Sequence, residues 1–331
     1  MKQLLVIFCF LFATSFVEAQ KQQVTVKKVL KLMGTRFELT VVADNEEIGN
    51  INIQEAIKEI TRIEKMISSW DPDSETSIIN KNAGIEPVKV SLEFFRLIER
   101  AKKISEITDG AFDISYASLD NIWYFDKKME KMPSDIKIKS SIAKIGHNKI
   151  LLNKENQTVF LKEKGMRIGF GAIGKGYAAD KTKEHLISKG VKAGLINASG
   201  DLTTWGKKAT GDKWMVGIAN PLNKEKVFSW LPVIESSVAT SGNYEKFLMF
   251  DGEKYSHIID PRTGYPTKGI NSVSIFAKDA ELCDALATAV FILGSDSGIH
   301  LINQIPGVEV VLIDYENKIH KSSGIFFDNN F

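Results

Sequence analysis

The chain has 331 residues, 44% of them hydrophobic and 25% charged, with a formal charge of +2. That composition suits an ordinary folded protein with a sizeable core, and the length allows one large domain or two smaller ones. Balanced charge, with no Lys/Arg cluster interleaved with aromatics, argues against a nucleic-acid partner.

The first twenty residues, MKQLLVIFCFLFATSFVEAQ, carry Lys2, an apolar core from about Leu4 to Phe16, and small-residue spacing at Val17 and Ala19. This is the layout of a secretory signal peptide over residues 1–19, cleaved before Gln20. The apolar run is short for a membrane-spanning helix of roughly 20 residues, though an uncleaved anchor, and with it membrane association, stays open. Cys9 lacks the small residues expected before a lipidation cysteine and reads as filler in the apolar core of the signal. After cleavage only Cys283 remains, so no intramolecular disulfide can form. No later apolar run reads as long enough to cross a bilayer, so the mature protein is expected to be exported and soluble. Export weighs against a dehydrogenase or an ATPase, because their nucleotides are cytoplasmic.

Residues 20–331 show no repeat, low-complexity tract or long linker. The stretch 24–43 has strand-like segments on both sides of Met33-Gly34-Thr35. Residues 52–70 place Ile53, Ile57, Ile60, Ile63 and Ile67 on one helical stripe. Residues 91–110 predict a second amphipathic helix, with Ser91 as N-cap and Gly110 just past its end. Residues 147–171 predict two short strands around a turn, then a third strand, 166–170, running into a glycine cluster. A helix from about Lys175 to Ser188 follows, then a strand at 193–197. WMVGIANP, VIESSVATSG and NSVSIFA read as further strands, and CDALATAVFILG opens the last long helix. Consecutive strands with segregated helices predict an α+β fold rather than strict β-α alternation.

GFGAIGKGYAAD (169–180) fits two nucleotide motifs at once. Gly169, Gly171 and Gly174 have dinucleotide-turn spacing, but the next acidic residue, Asp201, lies beyond the following strand. Gly169, Gly174 and Lys175 have phosphate-loop spacing, but Gly176 stands where the Mg²⁺-binding hydroxyl belongs. A third reading keeps only the shared physics: glycines let the backbone approach an anion, a helix start offers N–H groups, and Lys175 adds charge. The bland alternative is a tight turn with a solvated lysine.

HIIDPRTG (257–264) gathers His257, Asp260 and Arg262 at a turn, where Asp260 also suits local capping and pairing with Arg262. Asp284 and Thr288 are four apart on one helix face, as a carboxylate and a hydroxyl of a Mg²⁺ site would be. Alone, Asp284 equally suits a helix-dipole partner and Thr288 a core edge. Asp113 follows Phe112 after a glycine turn. Trp70, at a helix exit, suits either stacking on a flat heterocycle or burial in the core.

Together MGT (33–35), SWDPDSE (69–75), DGAFDIS (109–115), GAIGKGYAAD (171–180), INASGD (196–201), SGNYEKF (241–247), HIIDPRTG (257–264) and CDALATA (283–289) resemble the ApbE family, over about residues 30–300. The resemblance implies a single ApbE-like α+β domain, with mainly antiparallel sheets packed with helices and two lobes around an FAD site. It implies an FAD:protein FMN transferase: with Mg²⁺, the FMN half of FAD is joined through its phosphate to a Thr or Ser hydroxyl of an acceptor flavoprotein, and AMP leaves. It places the metal on Asp284 and Thr288, with backbone help from Ala172 and Ala287. Met33, Trp70, Ala111, Phe112, Asp113, Lys175 and Ile258 match positions at the FAD, and His257 is the candidate proton acceptor. Implied acceptors are exported Nqr- or Rnf-type subunits or FMN-binding reductases. An FAD pyrophosphatase and a non-catalytic flavin-binding protein are the alternatives. One departure stands out: Gly169 occupies a position where family members commonly carry an aspartate, and Ala172 replaces the second family glycine.

Overall fold

A computed structural model describes residues 23–326, apart from 128, 221–222, 234 and 244–246; the side chains of 218–220 and 223–233 are outside it as well. The signal segment and residues 244–246 of SGNYEKF therefore lie outside the described residues.

The main sheet has eight strands in chain order: Val24–Leu32, Thr35–Ala43, Ala193–Ala198, Asp201–Trp205, Ser237–Gly242, Ile270–Ala277, Glu309–Asp314 and Ile319–Lys321. Every neighbouring pair is antiparallel. The remaining elements are insertions between these strands, which gives the expected α+β fold. The long insertion after Ala43 holds α1 (Glu46–Ile67), α2 (Glu75–Lys81), α3 (Leu92–Ile107), α4 (Asp135–Ser141) and α5 (Gly174–Ser188). It also holds a small sheet of Val88–Lys89, Thr158–Leu161 and Ile150–Asn153, in that order. Helix α6 (Ala280–Ile302) links Ile270–Ala277 to Glu309–Asp314.

Local chemistry explains the boundaries. Met33 and Gly34, both at positive φ, make a two-residue hairpin turn whose twist matches its strands. Met33 N–H donates to Glu64 on α1 at 3.1 Å, tying the hairpin tip to that helix. Helix α1 begins earlier than its isoleucine stripe, because Asn45 accepts from Ile48 N–H. Ile53, Ile60, Ile63 and Ile67 are buried, each contributing about 2 kcal/mol of apolar burial. The helix ends at Ile67, so Trp70 lies in the loop beyond it. Ser91 caps α3 as expected, through Phe94 N–H.

The expected strand 166–170 does not form. Two side chains satisfy its backbone instead: Asn80 exchanges hydrogen bonds with Ile168 N–H and C=O, and Ser118 with those of Arg167. Without that strand, and with 193–198 paired antiparallel, no βαβ unit surrounds the glycines. The dinucleotide-turn reading fails on this ground.

Helix α6 corrects another expectation, since its 23 residues are long and apolar enough, by length and composition, to cross a membrane. Gly294, at φ 80 and ψ −176, interrupts its helical geometry. Cys283, Leu286, Val290 and Phe291 are buried in the main core, so the apolar character serves packing. A separate cluster of Ile122, Trp123, Ile138, Leu248 and Phe250 packs apart from the main core.

Candidate active site

The start of α5 and the start of α6 cross where Gly176 meets Ala280. A Cβ on Gly176 would lie 2.1 Å from Ala280 O, so only glycine permits this approach. Neither helix has a side-chain cap from its own N-cap residue, Ile173 or Asp279. Each is capped by the other: Asp284 on α6 accepts from Gly176 N–H at 3.1 Å, and Asp180 on α5 accepts from Glu281 N–H at 2.8 Å. Asp284 is thus a dipole partner, but of α5 rather than of its own helix. Arg100 on α3 holds Glu281 through two hydrogen bonds of 2.8 and 2.9 Å.

Lys175 lies between two buried carboxylates. Its Nζ contacts Asp201, and reaches Asp284 Oδ1 at 3.3 Å and Oδ2 at 3.4 Å. Burial works against the ammonium, but Asp284 and Asp201 outweigh it and raise its pKa. Burial, then the Asp284 charge, pushes the Asp201 carboxyl up against the pull of Lys175. Burial also pushes Asp180 up to about 7, despite its hydrogen bonds from the backbone of Glu281 and Ala280.

Lys175 and Asp284 form the floor of a cavity of about 940 Å³, with Asp201 and Asp180 behind them. Ala111, Phe112, Asp113, Ala172, Lys175, His257, Ile258, Asp284 and Thr288 all line it. A second cavity, of about 750 Å³, holds Met33, Trp70 and Gly169. The two share Thr35, Tyr116, Ala117, Gly171, Lys175 and Ser199. Every residue that the family resemblance placed at the site, except Ala287, therefore borders this joined space. Ala287 lines neither cavity and is 1% exposed in the core.

Placement also decides between alternatives that the sequence left open. Trp70 is 95% exposed, so it is not a core tryptophan. The Asp113 carboxylate accepts from Ser115 N–H, Ser115 Oγ and His147 N–H, so it fixes the loop that presents Phe112. Asp260 accepts from Arg262 N–H, Nε and Nη2, which is the local capping and pairing anticipated for that turn. That turn sets His257 on the cavity wall, edge-on to Phe125 with centroids 6.4 Å apart.

Residues 33–312 match the sequence profile of the ApbE family. This chain belongs to the ApbE family. An FAD:protein FMN transferase of Klebsiella pneumoniae is 30% identical over 294 residues, covering 88% of this chain and 90% of that protein. One from Treponema pallidum is 32% identical over 289 residues, covering 82% and 80%. The crystal structure of the ApbE protein of Thermotoga maritima superposes with a TM-score of 0.80 at 30% identity, over 90% of this chain and 97% of that one. The Vibrio cholerae flavin transferase ApbE, at 24% identity and a TM-score of 0.80, has the same fold.

Within this ApbE chain Asp201 had no role legible in the sequence, although it is the second carboxylate on Lys175. It sits 3% exposed at the first position of its strand, just after the Ser199-Gly200 turn. An acid directly behind a tight turn, opening a strand of Leu, Thr and Trp, was the available signal.

Proposed function

We propose that this chain transfers the FMN half of FAD to a Thr or Ser hydroxyl of an exported acceptor flavoprotein, releasing AMP. The observation that carries this reading is the convergence of Lys175, Asp284, Thr288 and His257 on one cavity that joins a second at Lys175, with Asp201 paired to that lysine. A two-part ligand with an anionic middle fits that arrangement, its charge beside Lys175 and its aromatic ends in the flanking spaces.

The donor set suits Mg²⁺. It consists of hard oxygens: the carboxylate of Asp284 and the hydroxyl of Thr288, both on one cavity wall with Lys175. Among the described residues no group of three or more His, Cys, Asp or Glu gathers, so carbonyls, water and the diphosphate would complete the shell, as is usual for this ion. The residues proposed to hold it are Asp284 and Thr288, with the Ala172 and Ala287 carbonyls. When bound, Mg²⁺ supplies neutralising charge on the diphosphate.

The chain's own groups do the rest. The start of α5 and Lys175 hold the diphosphate, and Asp201 and Asp284 fix the position of Lys175. Met33, Phe112, Ile258 and exposed Trp70 bound the flavin nucleotide. His257 takes the proton from the incoming hydroxyl as its oxygen bonds to the FMN-side phosphorus. The bond from that phosphorus to the AMP oxygen breaks, and AMP leaves.

Protein lacking residues 1–19, incubated with FAD, Mg²⁺ and an acceptor domain, should yield a covalently fluorescent acceptor and one equivalent of AMP. FAD binding without AMP release, with any acceptor, would refute transfer. AMP release without acceptor would mark the chain as a pyrophosphatase; His257 is exposed, so water reaches it. The N-terminal segment supports an exported location, with Nqr- or Rnf-type subunits or FMN-binding reductases as acceptors.

A further inference from the structure

Tyr116 lies in the short 3-10 turn Ile114–Ser118, which Asp113 caps. It lines both cavities, and it shares the seam between them with Lys175. The residue is 37% exposed, yet its hydroxyl packs deep against the glycine cluster. A Cβ on Gly171 would lie 2.4 Å from the Tyr116 hydroxyl oxygen. A Cβ on Gly169 would lie 3.8 Å from the same oxygen, 3.5 Å from Ser69 Oγ and 3.1 Å from Ala117 Cβ. The two glycines thus give up their side chains beneath this turn, and Gly169 N–H ties the segment to Ile114 O at 2.9 Å. The space above Gly169 is filled by the tyrosine's turn.

The phenol's electrostatic surroundings are those of the seam. Burial raises its pKa, a hydrogen bond from the Gly171 backbone opposes this, and the charges of Asp284 and Lys175 act on it in opposite senses. Gly171 N–H supplies the oxygen with a donor. Among the described residues, no protein acceptor receives the phenol's own proton. A two-part ligand spanning both cavities brings its middle past this point, next to the ammonium of Lys175.

We propose that Tyr116 contacts the substrate directly, its phenol O–H donating to the diphosphate of the dinucleotide and supplying a polar contact that Gly169, having no side chain, cannot make. This rests on the flavin-transfer reading above and adds a ligand-binding residue to it. A hydrogen bond to a charged oxygen stabilises more than a neutral one, by enough to change affinity about tenfold or more.

The test is Tyr116→Phe, which keeps the ring and removes only the hydroxyl. Dissociation constants are measured for FAD, ADP and riboflavin by fluorescence or calorimetry, together with melting temperature and steady-state transfer. The expected result is FAD and ADP binding weakened roughly tenfold, riboflavin binding within twofold of the parent, and an unchanged melting temperature. In transfer assays KM for FAD rises at least as much as kcat falls. FAD binding within twofold of the parent overturns the proposal, as does an equal loss for riboflavin, which would mean the ring rather than the hydroxyl is at work. If the parent protein itself binds no FAD, the transfer reading falls and this inference falls with it. A parent that binds and transfers while Tyr116→Phe matches it overturns this inference alone.

Discussion

Beneath the cavity Asp284 accepts from Gly176 of α5 while Asp180 accepts from Glu281 of α6; Asp284 is buried and Asp180 half-buried. At the rim Trp70 is 95% exposed, and His257, also exposed, precedes a turn whose backbone and Arg262 are held by Asp260. The floor's polar groups are the caps and ion pairs that hold two helices together. The rim's groups project from loops that are already held by other residues. Floor substitutions should therefore lower stability and activity together, and rim substitutions activity alone.

Asp284→Ala tests the floor most severely. It removes the acceptor for Gly176 N–H, one partner of Lys175 and the proposed metal carboxylate. Transfer should fall by at least about 10²–10³-fold, with a lower melting temperature in the same protein. Asp284→Asn keeps an acceptor for Gly176 and should recover most of the stability without the activity. An Asp284→Ala protein with near-parental transfer would remove the floor from the mechanism. His257→Asn is the matching rim experiment. Loss of a proton acceptor should cost about 10²-fold or more in kcat, with FAD affinity and melting temperature unchanged. A drop in melting temperature comparable to that of Asp284→Ala would break the contrast between the two regions.

Asp180 sharpens the comparison through pH. Its carboxyl is raised from the model-peptide value to about 7, so between pH 4 and 7 the folded protein binds a proton that the unfolded chain has released. Stability contributed by the protonated form is complete below pH 4 and is lost as pH rises through 7. Asp180→Asn cannot ionise. The stability of the parent relative to Asp180→Asn should therefore fall by roughly 2 kcal/mol between pH 5 and 7, read from denaturant melts. Parallel stability curves would mean that burial of Asp180 carries no such penalty.

The amino-acid sequence made the floor legible through spacing. Asp284 and Thr288 four apart, and glycines beside Lys175, are local patterns set by the helix period and by backbone clearance. The isoleucine stripe of α1 and the Met33-Gly34 turn were legible for the same reason. The reciprocal caps were not, because Asp180 and Gly176 meet residues about a hundred positions away. Nor was the fate of 166–170, whose strand-like pattern is overridden by Asn80 and Ser118 acting as side-chain ladder partners. Asp201 was visible but could not be assigned, since only the hairpin and α5 together bring it to Lys175.

Trp70→Ala gives the smallest effect and the cleanest reading of the rim. The indole contacts little protein, so its removal should leave the melting temperature unchanged. Any loss must then come from the ligand. An exposed indole that covers a flat heterocycle loses solvent contact on binding, and such aromatic pairs add about 0.5–1.5 kcal/mol beyond the buried area. FAD affinity should drop about three- to tenfold, and Trp70→Phe should restore much of it. Trp70 borders the second cavity and is absent from the first, whereas Lys175 and Tyr116 border both. A measurable loss therefore places part of the ligand in the second cavity and makes the two spaces one site. Unchanged affinity would confine the ligand to the larger cavity, leaving His257 as the rim's sole contribution to the proposed chemistry.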